Sequence, residues 1–167
     1  KSQLREIMNT EKPLLGVFNE SALPFTVDQM NNEKLTATMP NITEMTAVAI
    51  EKLKKNKAGF VLQVEGGKVD WAAHSNDTGG LIYDQIAFDE AVRVALDFAK
   101  DDGNTLVIVT TDHGNANPGL FYGKNTDRNF DRIKEFKHSN KWIMDGITKD
   151  TTPKMIIDLI DFAQGYR

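Results

Sequence analysis

Apolar residues along the chain form three short runs and four longer stripes at helical spacing. The short runs, at 14–18, 59–64 and 105–111, are bounded by glycine, proline or polar turns, which predicts strands, two of them buried. Apolar residues three and four positions apart predict helices over about 41–56, 80–100, 127–137 and 152–164. Helices that alternate with apolar strands predict an α/β fold built on a mostly parallel sheet.

Capping residues support the ends of these predicted helices. Asn41 with Glu44 three residues later is typical of a capping box. Thr152 precedes Pro153, which occupies the favoured first helical position. Asp77 is predicted to cap the long helix that follows it. On that helix, Asp84 and Asp89 are interpreted as solvated carboxylates.

Composition narrows the classes of partner. The chain has 167 residues, of which 40% are hydrophobic and 26% charged, as in an ordinary globular domain. A net charge of −4 without a basic stripe argues against nucleic acid as the main partner. No apolar run is long enough to predict a membrane span. The absence of cysteine excludes disulfides and thiolate metal ligands.

The first candidate site lies after the third apolar run, at Asp112 and His113. An aspartate–histidine pair alone is weak evidence, because aspartate often caps a helix and histidine often serves as an ordinary polar group. Gly114 lets the backbone turn sharply, so both side chains could reach one cleft. Ligands bind beyond the carboxyl ends of strands in parallel sheets, and this pair occupies such an edge.

The second candidate site follows the run at 59–64. Asp70 and His74 share a face if this segment is helical, and their oxygen and nitrogen donors suit Zn²⁺. The alternative is an exposed loop aspartate with a capping histidine. Glu65, at the predicted strand end, is either a surface residue or a hard ligand for Mg²⁺. The two glycines at 66–67 indicate a close backbone approach or an unusual backbone angle.

These five ligand-type residues at one predicted sheet edge together indicate a metal site. One ion would activate a nucleophile and stabilise the leaving oxygen, and another would hold phosphoryl oxygens. Trp71, beside Asp70, is either a packing aromatic or a wall of the substrate pocket. His138 is interpreted as an ordinary loop or helix-end histidine rather than as a third imidazole ligand.

Three segments in this order and spacing resemble alkaline phosphatase, at 64–74, 87–92 and 105–113. The segments 14–18 and 39–46 also resemble the region that precedes these motifs in that family. The resemblance implies part of a doubly wound, mostly parallel sheet flanked by helices. We therefore interpret 1–167 as a single partial α/β domain, with a metal-motif core at 14–118 and a polar loop and helical extension at 119–167.

The resemblance also implies ligand roles, residue by residue. It assigns Mg²⁺ to Glu65, one Zn²⁺ to Asp70 and His74, a second Zn²⁺ to Asp112 and His113, and a place near bound phosphate to Trp71. The implied reaction is phosphate monoester hydrolysis through a phosphoserine. The resemblance also implies that the protein acts in the periplasm or outside the cell.

Departures from the family pattern matter equally. The nucleophilic serine, a first-motif aspartate and a phosphate-binding arginine have no counterpart in residues 1–40, and the chain begins at Lys1. We therefore expect an internal or C-terminal fragment that is inactive alone and that self-associates or forms a homodimer. The alternatives are a member of the superfamily similar to phosphoglycerate mutase, or a metal-binding module without catalysis.

Overall fold

A computed structural model of the protein describes residues 1–7, 10, 12–115 and 123–166. The α-helices of this described part are α1 Ser2–Glu6, α2 Thr26–Met30, α3 Glu33–Thr38, α4 Ile42–Leu53, α5 Gly67–His74, α6 Thr78–Asp102, α7 Thr126–Asp131, α8 Asn140–Asp145 and α9 Pro153–Ala163. None of the helices in these ranges is long and apolar enough to cross a membrane.

The predicted caps of three helices are confirmed. The Asn41 side chain accepts a hydrogen bond from the backbone amide of Glu44. The Glu44 carboxylate accepts one from the backbone amide of Asn41, which completes the capping box of α4. Asp77 accepts from the Gly80 amide at 2.8 Å and caps α6. Thr152 accepts from Met155 at the start of α9. Local sequence therefore specifies where these helices begin.

Helix α6 is the element on which α2, α4 and α5 pack. The core between these helices contains Phe25, Val27 and Ala72, with Leu81 and Tyr83 packed against it. Asp84 also lies on the covered side of α6, so the prediction that it is solvated is wrong. Its carboxylate accepts hydrogen bonds from the backbone amide and hydroxyl of Thr26. The partner is 58 residues distant, which local periodicity does not reveal. Asp89 is exposed, as expected.

The three apolar runs carry no strand in the described residues, so the predicted sheet is not confirmed. Exposure nevertheless alternates along 61–65, where Leu62 and Val64 are half-buried and Val61 is 95% exposed. Phe60 packs toward Phe98 of α6, with ring centroids 6.1 Å apart. One side of this segment is thus covered by helix and the other is not. A strand requires a hydrogen-bonded neighbour, and helices cannot supply one.

The predicted helix at 127–137 is split and shorter. Helix α7 is followed by a 3₁₀ helix at Arg132–Glu135, and Phe136 then adopts an extended backbone with ψ near 132°. Phe130 is 44% exposed rather than buried. The chain turns here because the Lys137 and His138 amides donate to the Ala163 carbonyl at the end of α9. Residues 116–122, including the start of the predicted 119–167 extension, lie outside the described residues.

Candidate functional site

Helix α5 positions the first pair of ligand-type side chains. Asp70 lies in its first turn and His74 is its last residue, so the segment is helical and the two share a face. The His74 Nε2 atom lies 3.5 Å from Asp70 Oδ1. Gly66, just before the helix, packs against the Phe88 ring, where a β-carbon would approach ring atoms to 3.0 Å. This close backbone approach, one of the two explanations offered for the glycines, seats α5 on α6.

The loop at 111–115 brings the second pair to the first. His113 Nε2 lies 3.8 Å from Asp70 Oδ1 and 3.4 Å from Asp112 Oδ2. The Asn115 side-chain amide donates to Asp70 Oδ1 at 3.0 Å across 45 residues of sequence. Within the loop, the Thr111 hydroxyl donates to the His113 carbonyl at 2.8 Å. Two motifs that are distant in sequence therefore meet at one carboxylate.

The side chains that meet at Asp70 are open to solvent, and two of them, Asp70 and Asp112, are carboxylates. The side chains of Asp70 and His113 are 40% and 52% exposed, and that of Asp112 is 87% exposed. No lysine or arginine forms a salt bridge with either carboxylate in the described part of the chain. Water screens the contacts between these groups, so they contribute little to folding stability. The arrangement leaves carboxylate and imidazole donors accessible from outside.

Donor chemistry fits a divalent metal ion, although the donors do not converge. Carboxylate oxygen and imidazole nitrogen are ligands that zinc prefers. Among the described residues, no group of three or more histidine or acidic side chains surrounds a common point suited to an ion. The imidazoles are paired with carboxylates instead. The metal assignment of these four residues therefore stays a prediction.

Glu65 lies apart from this group in its contacts. Its carboxylate folds over the start of α5, where Oε1 would lie 3.3 Å from a β-carbon on Gly67. Neither a hydrogen bond nor an ion pair joins Glu65 to the other four predicted ligands, all of which the structure describes. A shared role with them is not visible in the contacts.

Trp71 is 46% exposed, and a lysine covers part of its ring. Lys68 Nζ lies 4.0 Å from the Trp71 ring centroid and 4.4 Å from the centroid of Phe25. Sequence reasoning missed Lys68, although its spacing of three residues from Trp71 on a helix signals such a contact. It also missed Asn115, which stands inside the motif that contains Asp112.

His138 lies one residue before Ser139, the N-cap of α8, and it is buried. Its Nδ1 atom is 3.2 Å from Asp28 Oδ1, and its ring stacks on Trp142 with centroids 3.9 Å apart. The Ser139 hydroxyl donates to Asp28 Oδ2 at 2.6 Å. These partners account for the burial of the His138 ring.

Comparisons with known proteins agree with one another. The family model described as alkaline phosphatase matches residues 1–155. Alkaline phosphatase 3 of Bacillus subtilis is 36% identical over 158 residues, which cover 91% of this chain and 32% of that protein. Alkaline phosphatase of Escherichia coli is 38% identical over 143 residues, or 71% of this chain and 30% of that protein.

A solved structure gives the same result for the fold. The crystal structure of Thermus thermophilus alkaline phosphatase matches with a TM-score of 0.86 at 26% identity, covering 97% of this chain and 35% of that one. The predicted relation to that fold is therefore confirmed. The chain spans about a third of the length of the curated relatives it matches.

Proposed function

Because the chain belongs to the alkaline phosphatase family, we propose that it supplies the metal-binding part of a metal-dependent phosphomonoesterase. The observation that carries the proposal is the contact between two motifs, in which His74 and His113 both approach Asp70 Oδ1. His74 lies on the same helix as Asp70, whereas the His113 imidazole and the Asn115 amide come from a loop about 45 residues later in the chain. The proposed substrates are phosphate monoesters.

Each proposed metal site takes one carboxylate and one imidazole from this chain. Asp70 and His74 would hold one Zn²⁺, and Asp112 and His113 would hold the second. Glu65 is proposed to contribute to a Mg²⁺ site. When bound, such ions lower the pKa of a nucleophile and stabilise charge on phosphoryl oxygens.

The chain's own residues prepare these donors. Asn115 fixes one Asp70 oxygen through its amide, which restricts the rotation of the carboxylate. The loop hydrogen bond between Thr111 and His113 holds the second imidazole near α5. Trp71 is proposed as an apolar wall beside bound phosphate.

Turnover is proposed to need residues that we do not identify in this chain. Hydrolysis through a phosphoserine requires an activated serine, and among the described residues no serine hydroxyl forms a hydrogen bond with Asp70, His74, Asp112 or His113. We propose that the 167-residue chain binds metal but does not hydrolyse p-nitrophenyl phosphate alone. The proposed location of the active protein is the periplasm or the outside of the cell.

Zinc binding by the whole 167-residue chain tests this proposal. Isothermal titration of the metal-free chain should show two zinc ions per chain, and His74→Ala and His113→Ala should each remove one. Asp101→Asn, which changes an exposed carboxylate at the end of α6, serves as the matched control and should bind as the parent does. Equal zinc binding by all four proteins would refute the assigned ligands.

A phosphatase assay on the same samples separates the remaining alternatives. Zinc binding without hydrolysis is the expected result for the chain alone. Robust hydrolysis that disappears in His113→Ala would overturn the proposal that the chain is inactive alone. Absence of zinc binding by the parent chain would refute the proposal that the chain is a metal-binding module.

A further inference from the structure

Lys68 occupies an unusual position for a lysine on a helix. Its ammonium group lies between two aromatic rings, 4.4 Å from the centroid of Phe25 and 4.0 Å from that of Trp71. Phe25 is only 3% exposed, so one side of this arrangement is anchored in the core. Trp71 is 46% exposed, so its ring has few other neighbours to restrict it. The lysine therefore connects a fixed ring to an exposed one.

Lys68 is half-buried on α5, and Phe25, one of the two rings that its ammonium group contacts, belongs to the core. A partly desolvated ammonium group interacts more strongly with the negative faces of aromatic rings than a fully hydrated one does.

Helix geometry places Trp71 between Lys68 and the predicted metal ligands. With about 100° of rotation per residue, Trp71 lies about 60° from Lys68 and about 60° from His74 around α5. A rotation of the indole about its side-chain bonds therefore moves it toward or away from the face that carries Asp70 and His74. Contact with Lys68 selects one of these positions.

We propose that Lys68 is a positioning residue that orients the Trp71 ring beside the anion site of this family member. The inference rests on the proposed function for the site at Asp70, and it adds a residue that the family resemblance does not assign. Phe25 provides the fixed side, Lys68 the contact, and Trp71 the wall of the site. The ligand on the other side of that wall is phosphate.

Fluorescence of Trp71 tests the positioning directly. Trp142→Phe removes the other tryptophan while leaving a ring to stack on His138, so emission then reports Trp71 alone. In that background, Lys68→Met should raise the acrylamide quenching constant about twofold, because the indole loses its cation contact. Lys68→Arg should restore the parent value, since arginine also stacks on aromatic faces.

Lys100→Met, a change of an exposed lysine on α6, is the matched control and should leave quenching unchanged. Circular dichroism checks that each variant folds. If Lys68→Met does not fold, Lys68→Gln takes its place in the comparison with arginine. Quenching that is the same in the parent and in the folded neutral variant would overturn the inference.

Phosphate binding separates this inference from the proposed function. Titration of the zinc-loaded chain with inorganic phosphate should show affinity about two- to fivefold weaker in Lys68→Met, with recovery in Lys68→Arg. If no protein in the series binds phosphate, the anion site beside Trp71 is refuted for this chain, zinc binding still decides the proposed function, and quenching still decides whether Lys68 positions Trp71. If the parent and Lys68→Met bind phosphate equally, the positioning role is refuted even though the site stands.

Discussion

Asn115 donates a hydrogen bond from its side-chain amide to Asp70 Oδ1 at 3.0 Å, and this contact joins the loop at 111–115 to helix α5. The same oxygen lies 3.5 Å from His74 Nε2. One carboxylate oxygen therefore has an amide donor and an imidazole as neighbours. Loss of a group that holds a metal ligand by hydrogen bonding typically lowers metal affinity about 10- to 100-fold.

Removal of this amide should weaken metal binding without altering the ligands. Asn115→Ala is expected to lower zinc affinity about tenfold, because Asp70 can then rotate freely. Isothermal titration of the 167-residue chain measures the change. Asn125→Ala is the control, since the Asn125 side chain makes no capping hydrogen bond at α7. Zinc affinity unchanged in Asn115→Ala would show that the loop contact does not support the site.

Features that depend on near neighbours in sequence were predictable from the sequence. The capping box of Asn41 and Glu44 closes within three residues, and the structure forms it as expected. The spacing of Asp70 and His74 specified a shared helix face in the same way. Contacts of this kind need only the local periodicity of a helix.

Features that depend on distant partners were not predictable. The pattern around Asp84 predicts a solvated carboxylate, because its own helix gives no sign of Thr26, which lies in α2 and donates two hydrogen bonds to it. The contact of Lys68 with Trp71 follows from their helical spacing, but its contact with Phe25, 43 residues earlier in the chain, does not. The sheet remains a prediction, since a strand is defined by a neighbour that a single apolar run does not identify.

Burial of Asp84 should make folding stability depend on pH. Burial raises the pKa of this carboxyl to about 6, above the value of 3.8 expected when it is exposed. The folded chain therefore binds the proton more tightly, so the stabilising effect of protonation is full below pH 4 and is lost as pH rises through 6. Asp84→Asn should remove this loss. The free energy of unfolding of the variant, relative to that of the parent, should therefore rise by up to about 3 kcal/mol between pH 4 and pH 7.

Urea unfolding at several pH values measures this difference. Asparagine retains an oxygen that can accept from the Thr26 amide and hydroxyl, so the variant should fold. Asp89→Asn changes an exposed carboxylate on the same helix and should leave the pH dependence of the parent intact. Parallel pH profiles for the parent and Asp84→Asn would contradict the assignment of a raised pKa to Asp84.

Ser139 should contribute more to stability than its size suggests. Its hydroxyl donates to Asp28 Oδ2 at 2.6 Å and accepts from the Trp142 amide at 3.1 Å, at a position that is fully buried. Ser139→Ala leaves a buried carboxylate oxygen short of one donor and removes the cap of α8. The free energy of unfolding should fall by about 2–3 kcal/mol.

Chemical denaturation checks this value against Ser21→Ala, which alters an exposed serine outside any helix. The Asp28 carboxylate retains the Ser139 amide at 2.9 Å and the His138 ring, so the variant is expected to fold. A loss no larger than that of Ser21→Ala would mean that the contact between α2 and α8 is held by other groups.

The uncovered sides of two apolar segments should drive self-association. Val61 is 95% exposed, and Leu106 and Ile108 are 82% and 75% exposed. Their neighbours Leu62 and Val107 are partly covered. Apolar surface arranged in this alternating way favours pairing with another chain, because pairing removes both apolar area and unpaired backbone groups from water.

Light scattering over a range of concentrations tests this expectation. The parent chain should show a mass above that of a monomer, and Val61→Lys combined with Ile108→Lys should return it to 18.7 kDa, the monomer mass of the parent, within error. Met144→Lys combined with Met155→Lys, which changes apolar residues that are 65% and 50% exposed on α8 and α9, should leave association intact. Because two charges are added in both cases, only the position of the apolar surface distinguishes them. A parent chain that stays monomeric at every concentration would show that these segments are tolerated in water.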